Sequence, residues 1–463
     1  MLVPIVGGDD VPAGVAHVPG TGSPASSDPA SPDPASPDPA TPDPAPSAVP
    51  TPGAGVGAPL DPAAVAEVVR PLLTGGALGR GTSPTRVVDV ATGAVLFAAR
   101  DEPTTPASTI KLVTAVSVLD AMGPDATVQT RTVLTGTDAA TPRVIVVGGG
   151  DPSLRATGTG TPGRGTALRT ASMAQLARST ARALQARGIE RVRLGYDASL
   201  FTGPAMHPTW DPGFPAAGIV APVSALQVDE GRRKPTASAR VADPAAAAAG
   251  VLAAQLEDAG IDVRGEPKRR EAPADAAALA SVDSSTIGDL VERMLATSNN
   301  DMAEALGRLG ALAGGEPASF QGVAAHARAT LEALGIPTEG DVFADGSGLS
   351  RRNALRPATL AALLQVTSAG FGPVGSGLPV AAATGSLQRR FDTPGTRSGA
   401  GLVRAKTGTL TGVVGLAGYV SRPDGRLLSL VVLDDTVPGG GISGRAAIDR
   451  AVAALVSCDC AAD

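Results

Sequence analysis

Pro106-Ala107-Ser108-Thr109-Ile110-Lys111-Leu112-Val113-Thr114-Ala115 reads as a serine at the start of a helix with a lysine three residues on. Residues i and i+3 share a helix face, so the Ser108 hydroxyl and the Lys111 amine can meet. A serine hydroxyl is a poor nucleophile until a base takes its proton, and a desolvated lysine is such a base. The positive end of the helix dipole suits an oxyanion or acyl intermediate and disfavours a protonated amine. Ser-x-x-Lys alone is common on helix surfaces. Its weight comes from two later stretches in the same chain, Ser298-Asn299-Asn300 and Lys406-Thr407-Gly408-Thr409.

Residue usage narrows the chemistry. Only four of the 38 basic residues are lysine, at 111, 234, 268 and 406, and two of these fall inside the motifs. A chain that otherwise uses arginine needs an amine at those positions, because a guanidinium does not lose its proton and cannot act as a base. Histidine is scarce: His17 lies in low-complexity sequence, His207 in a Pro-rich loop and His326 on an ordinary helix pattern, which leaves a Ser-His-Asp triad poorly supplied. Zinc is equally poorly served, since Cys458 and Cys460 are the only cysteines. Cys-x-Cys at that place is compatible with a local disulfide, an intermolecular link or two free thiols. A net charge of −6 without a long basic stripe gives no support to nucleic-acid binding.

In chain order, residues 1–60 form a Pro/Ala/Ser/Asp-rich linker, with Asp28-Pro29-Ala30-Ser31-Pro32 recurring at a five-residue period. Such sequence cannot bury a core and favours polyproline II. It is either a stalk that holds a catalytic body away from a surface or a dispensable tail. No signal peptide is visible in Met1-Leu2-Val3-Pro4-Ile5-Val6, and no later stretch approaches a transmembrane span. The expectation is a secretion signal or membrane anchor upstream of this start. From Asp61 the pattern turns globular: a helix to about Leu73, a hairpin of Arg86–Val90 and Ala94–Ala98, then the Ser108 helix, stopping near Gly123. Its apolar residues lie on several sides, as in a helix buried between layers. Val144–Val147 and Val192–Tyr196 read as strands, 171–188 and Pro244–Ala259 as helices. Gly158-Thr159-Gly160-Thr161-Pro162-Gly163 matches Gly-x-Gly-x-x-Gly, but no strand precedes it and a proline breaks the turn, so it is not a nucleotide site. Ser108 and Ser298 are separated by far more chain than a connection needs, which predicts an inserted domain. Ser298-Asn299-Asn300 falls between a helix over Thr286–Leu295 and one over Asp301–Leu312, where its polar side chains either cap the helices or project into a cleft. Arg404–Thr409 reads as a strand, Val413–Val420 and Leu427–Leu433 as a hairpin, and Arg445–Val456 as a closing helix.

With these motifs in order, the chain resembles D-alanyl-D-alanine carboxypeptidases/endopeptidases of peptidase family S13, the class C low-molecular-mass penicillin-binding proteins. The resemblance covers roughly residues 62–456 and takes in Gly149-Gly150-Asp151-Pro152-Ser153-Leu154, Asp345-Gly346-Ser347-Gly348-Leu349-Ser350-Arg351 and Gly385-Ser386-Leu387. It implies an α+β fold: a β-lactamase/transpeptidase-like domain, with an antiparallel sheet flanked by helices, interrupted by an inserted domain or domains. The corresponding divisions are 61–125 and 286–456 for the two parts of that domain, 126–285 for the insertion and 457–463 for a C-terminal tail.

The resemblance also implies a chemistry. Ser108 attacks the D-Ala-D-Ala carbonyl, Lys111 takes its proton, and Ser298 relays a proton towards the leaving amine. Asn300 hydrogen-bonds the bound peptide; Lys406, Thr407, Gly408 and Thr409 form the wall that holds the terminal carboxylate. The backbone N–H groups of Ser108 and Thr409 would form the oxyanion hole. No cofactor or metal is implied. The expected partners are peptidoglycan peptides and β-lactams as covalent inhibitors, in an extracytoplasmic setting, with membrane contact expected only if an N-terminal anchor lies upstream. Two alternatives compete. A class A β-lactamase needs a deacylating glutamate, and Glu292, the acid nearest the second motif, lacks the local pattern for it. A non-catalytic peptidoglycan-binding module would not need Ser108, Lys111 and Lys406.

Overall fold

Along Val413–Ser421, Val414 and Leu416 belong to one apolar cluster while Ala417 and Tyr419 belong to another. Side chains alternate across a strand, so a strand that feeds two cores must lie in the middle layer of the protein. The computed structural model shows how the chain builds those layers. It describes residues 58–79, 81–136, 141–158, 170–234, 236–369, 372–439 and 441–462. The repeats before residue 58 and most of Gly158–Gly163 lie outside the described residues.

The chain opens with α1 (Pro62–Val69), β1 (Thr85–Asp89), β2 (Val95–Ala99) and α2 (Lys111–Met122). A second group follows: β3 (Gln129–Thr135), β4 (Arg143–Val147), α3 (Met173–Gln185), β5 (Arg191–Asp197), α4 (Phe214–Ala217), α5 (Pro244–Asp258), β6 (Asp262–Val263), β7 (Lys268–Arg269) and β8 (Ala277–Asp283). The third contains α6 (Ile287–Thr297), α7 (Asn300–Ala313), α8 (Phe320–Ala333), α9 (Pro357–Ala369), α10 (Gly372–Gly377), β9 (Val403–Leu410), β10 (Val413–Ser421), β11 (Leu427–Asp434) and α11 (Ile442–Ser457).

The first and last groups share an antiparallel sheet of order β2-β1-β11-β10-β9. One face packs on α1 and α11 through Val65, Val69, Val452 and Leu455. The other packs on α2, α6, α7 and α9 through Leu112, Val116, Leu290, Leu306 and Leu360. Because α2 is enclosed by helices and sheet, all residues from Lys111 to Leu119 are buried, as its unpatterned apolar sequence predicts. The middle group forms a separate mixed sheet of order β6-β5-β4-β3-β8, with β7 beside β5, covered by α3 and α5 over its own apolar cluster.

The elements named from the sequence agree in their boundaries with these to within a few residues, while β3, α4, β6–β8, α9 and α10 are not among them, and two departures have physical causes. Ser108 does not sit on an α-helix. It lies in the 3₁₀ turn Ala107–Ile110, which tightens the entry into α2. The ends of the globular part are also tied together: Leu60 bridges Ala461, the Asp61 N–H donates to the Cys460 carbonyl and the Ala462 N–H to that of Pro59. Residues 59–60 and 460–462 therefore form an antiparallel clasp, with Leu60 and Cys460 buried in the core beneath it. Cys458 and Cys460 are joined as a disulfide, which resolves the three options for the Cys-x-Cys pair. Among the described residues no helix is long and apolar enough to cross a membrane.

Leu112 is fully buried in the helix that carries the motif. Leu112→Ala is expected to lower the free energy of unfolding by about 2–5 kcal/mol. Urea titration would show it as a lower midpoint at an essentially unchanged slope.

Candidate active site

The site forms where α2, the α6–α7 junction, β9 and the loop 345–350 converge. At the head of α2 the chain enters through Ala107, whose φ is 45°. A left-handed conformation at a residue with a Cβ costs roughly 1–2 kcal/mol. Ser298 has the same kind of conformation, with φ 57°, at the C-cap of α6. Both strained residues adjoin the cleft, where surrounding structure holds them in place.

Lys111 is completely buried and donates to Ser108 Oγ at 3.0 Å, to Asn300 Oδ1 at 2.8 Å and to the Ser347 carbonyl. Asn300 is held by its Nδ2 donating to the Ile219 carbonyl at 2.9 Å, which fixes Oδ1 as the atom facing the lysine. Burial brings the Lys111 amine down to about 7, opposed by the carboxylates of Asp345, Glu304 and Asp301. Across the cleft, Lys406 Nζ donates to Ser298 Oγ at 2.8 Å and to the Thr407 carbonyl at 2.9 Å. It too is fully buried, and burial followed by the charge of Lys111 holds it well below the usual lysine range.

Of the residues singled out in the sequence, Lys111 contacts both Ser108 and Asn300, and Lys406 contacts Ser298. The hydroxyl of Thr407 pairs with that of Ser386 at 2.8 Å, and the Thr409 hydroxyl donates to the Gly408 carbonyl at 2.8 Å. Gly408 serves by lacking a side chain. A Cβ there would lie 2.7 Å from the Pro106 carbonyl oxygen, so only glycine lets β9 close on the serine turn. Asn299 caps α7 through the Met302 N–H, and its Nδ2 reaches Glu230, so the Ser-Asn-Asn run combines capping with projection.

Several site residues were given no role in the sequence reading, although Asp345 and Ser347 lie in a segment quoted for the resemblance. Ser347 contributes a carbonyl oxygen, which side-chain chemistry cannot reveal. Asp345 accepts from the N–H groups of Gly348 and Ser350, from Asn353 Nδ2 and from Trp210 Nε1, all within 2.6–2.8 Å. Glu304 accepts from the Ser347 N–H at 2.9 Å and from Arg308 Nη1 at 3.0 Å, and burial pushes its carboxyl up to about 7. Asp301 takes the Ala221 N–H and Arg240, which also approaches Glu230. In the sequence Glu304 and Arg308 look like any exposed i,i+4 pair. The short loop Asp345–Ser350 was the one available signal.

A five-stranded antiparallel sheet between helical layers, with a serine–lysine pair at the head of its central helix, is the architecture of the β-lactamase/transpeptidase-like class. The chain belongs to the D-Ala-D-Ala carboxypeptidase 3 (S13) family, whose model matches residues 65–239 and 232–455. It is 35% identical over 387 residues to Carboxypeptidase DacB of Mycolicibacterium smegmatis, covering 81% of each chain. Identity to Carboxypeptidase Rv3627c of Mycobacterium tuberculosis is 34% over 389 residues, 81% of this chain and 80% of that one. In fold it resembles penicillin binding protein 4 (dacB) from Haemophilus influenzae, with a TM-score of 0.68 at 20% identity over 86% of this chain and 98% of that one. A second structure of that protein, complexed with a novel β-lactam, aligns with a TM-score of 0.63 at 22% identity over 81% and 95%.

Gly348 offers a direct test of the site's geometry. Its φ is 84°, and a Cβ would lie 2.0 Å from the Ala107 carbonyl oxygen, beside the serine. Gly348→Ala is expected to slow acylation by penicillin by roughly a hundredfold, the scale set by a 1 Å misplacement of reacting groups. Circular dichroism alongside the rate measurement would confirm that the protein is folded.

Proposed function

We propose that this chain is a serine D-Ala-D-Ala carboxypeptidase that releases the terminal D-alanine from peptidoglycan stem peptides through an acyl-enzyme on Ser108. The observation that carries the proposal is the acceptor set around Lys111. A neutral amine has two N–H bonds and one lone pair. The Ser347 carbonyl and Asn300 Oδ1 are acceptors only, so they take the two N–H bonds. The lone pair is left facing the Ser108 hydroxyl at 3.0 Å, the arrangement a general base requires.

In this mechanism Lys111 takes the Ser108 proton as Oγ bonds to the carbonyl carbon, and the backbone N–H groups of Ser108 and Thr409 receive the developing oxyanion. The C–N bond then breaks and the proton passes to the departing D-alanine amine, with Ser298 as relay. The terminal carboxylate sits against Lys406, Thr407 and Thr409; its negative charge favours the ammonium form of Lys406, which burial otherwise opposes. Water then attacks the ester, Lys111 again takes the proton, and Ser108 is released as the alcohol. A β-lactam would enter the same sequence and stall as the acyl-enzyme.

Two further readings belong with this one. Residues 126–285 act as an inserted domain that walls the cleft, supported by Ile219 and Ala221 contacting Asn300 and Asp301. The enzyme works outside the cytoplasm, where its substrate lies. The β-lactamase alternative gains nothing from Glu292, which sits on α6 with its carboxylate bonded to Ser376.

Intact-mass spectrometry after exposure to penicillin provides the test. A single stable adduct at Ser108, absent from Ser108→Ala, is the expected outcome; rapid drug turnover without adduct would point to a β-lactamase, and neither result in folded protein would overturn the assignment. Lys111→Met should reduce the acylation rate by roughly 10²–10⁴, the usual contribution of a general base. Because the base must be neutral and its amine is held near 7, the native acylation rate should rise with pH through about 7. Stopped-flow rates from pH 5 to pH 9 would reveal a flat profile if Lys111 were not the base.

A further inference from the structure

Behind the Ser347 carbonyl lies a buried carboxylate that the reaction above does not use. Glu304 projects from α7 with no exposed side-chain surface. One oxygen accepts from the Ser347 N–H at 2.9 Å and the other from Arg308 Nη1 at 3.0 Å. Arg308 is itself 1% exposed, and its guanidinium lies over the Phe320 ring, 4.2 Å from the centroid. The glutamate is thus locked between a fixed cation and a backbone donor.

The next donor along that backbone, the Gly348 N–H, goes to Asp345 at 2.7 Å, while the Gly346 carbonyl accepts from Thr114 of α2 at 2.7 Å. Consecutive peptides on both sides of Ser347 are therefore clamped by buried side chains. The carbonyl between the clamps faces Lys111 Nζ and stands 3.4 Å from Ser108 Oγ. Its direction decides which way the amine's lone pair points.

We propose that Glu304 is a positioning residue for Lys111: it holds Ser347 so that its carbonyl takes one N–H of the amine, and its carboxylate favours the ammonium form from behind that carbonyl. The inference rests on the peptidase reading above. Other charged groups around Glu304 are Arg308 and Asp301 on its own helix, Lys111 on α2 and Asp345 on the adjoining loop. Lys406 on β9 faces Lys111 from across the cleft, and His207 lies near Asp345 and Arg308. His326 on α8 is turned to the Ser117 carbonyl of α2. Of these, Asp345, Glu304 and Asp301 are the ones that favour the Lys111 ammonium. Glu304 alone among them also binds the residue whose carbonyl holds the amine.

The test is the pH profile of penicillin acylation at Ser108. Glu304→Gln keeps the volume and an oxygen for the Ser347 N–H but removes the charge. A negative charge favours the ammonium form, so its loss lets Lys111 deprotonate more readily; because the Glu304 carboxyl is itself raised to about 7 and only partly charged there, the midpoint of the acid limb should move down by about half a pH unit. Glu304→Asp restores the charge with a shorter reach; its midpoint should return towards native while its plateau rate stays reduced. If Glu304→Gln fails to fold because Arg308 is left with a charge in the core, the double substitution Glu304→Gln/Arg308→Met removes both charges; measured against Arg308→Met alone, its midpoint should again lie lower, because the cation is then absent from both. A purely structural glutamate would lower the rate at every pH without moving the midpoint. That result, in folded single or double variant, would overturn the proposal. Native protein that fails to acylate at Ser108 would instead overturn the peptidase reading, so the two failures are distinguishable.

Discussion

The desolvation of one amine governs this structure. Lys111 has no exposed surface, and a charged ammonium deprived of water is costly unless every donor finds an acceptor. The fold supplies three, from three different segments: the serine one turn back, the asparagine at the start of α7 and the carbonyl of Ser347. With both protonation states accommodated, the amine titrates near neutrality, where a lysine can both take and return a proton. Water admitted at this point would restore the ordinary amine and remove the base.

Holding those acceptors in place explains much of the surrounding architecture. The loop from Asp345 to Ser350 must press its backbone against the serine turn, and glycine at 348 permits the contact that a Cβ would block. On the opposite side, Gly408 lets β9 approach Pro106 in the same way. The two strained residues, Ala107 and Ser298, lie where a helix begins and where one ends beside the cleft. Their cost is offset by the packing of α2 between helices and sheet, which leaves the turns no room to relax.

Charge in the site is arranged in two shells. The lysines are buried and face each other across the cleft, so the charge of Lys111 discourages that of Lys406. Carboxylates lie behind the first lysine: Asp345 and Glu304, with Asp301 joined to Arg240 beneath the segment 219–221. Burial raises Glu304 to about 7 and Asp301 to about 6. The interior therefore holds several groups whose proton content changes over the same narrow pH range, and their titrations are coupled.

How much of this was legible in the chain depends on range. Spacing along one helix put Ser108 and Lys111 together, and the scarcity of lysine marked both 111 and 406 as amines chosen for their chemistry. The apolar residues on several sides of α2 likewise marked a helix buried between layers, because side-chain period is a local property, while the antiparallel sheet came with the family resemblance. The three motifs in order established the family resemblance. What no local pattern contains is the meeting of Asn300 with Lys111, of Ser298 with Lys406, or the clasp of residues 59–60 on 460–462. Glu304 and Arg308 had the spacing of a solvated helix pair, and only the layers closed around α7 made them an interior one. Ser347 acts through its carbonyl, which every residue possesses, so its role arose solely from where the tertiary fold aimed that bond.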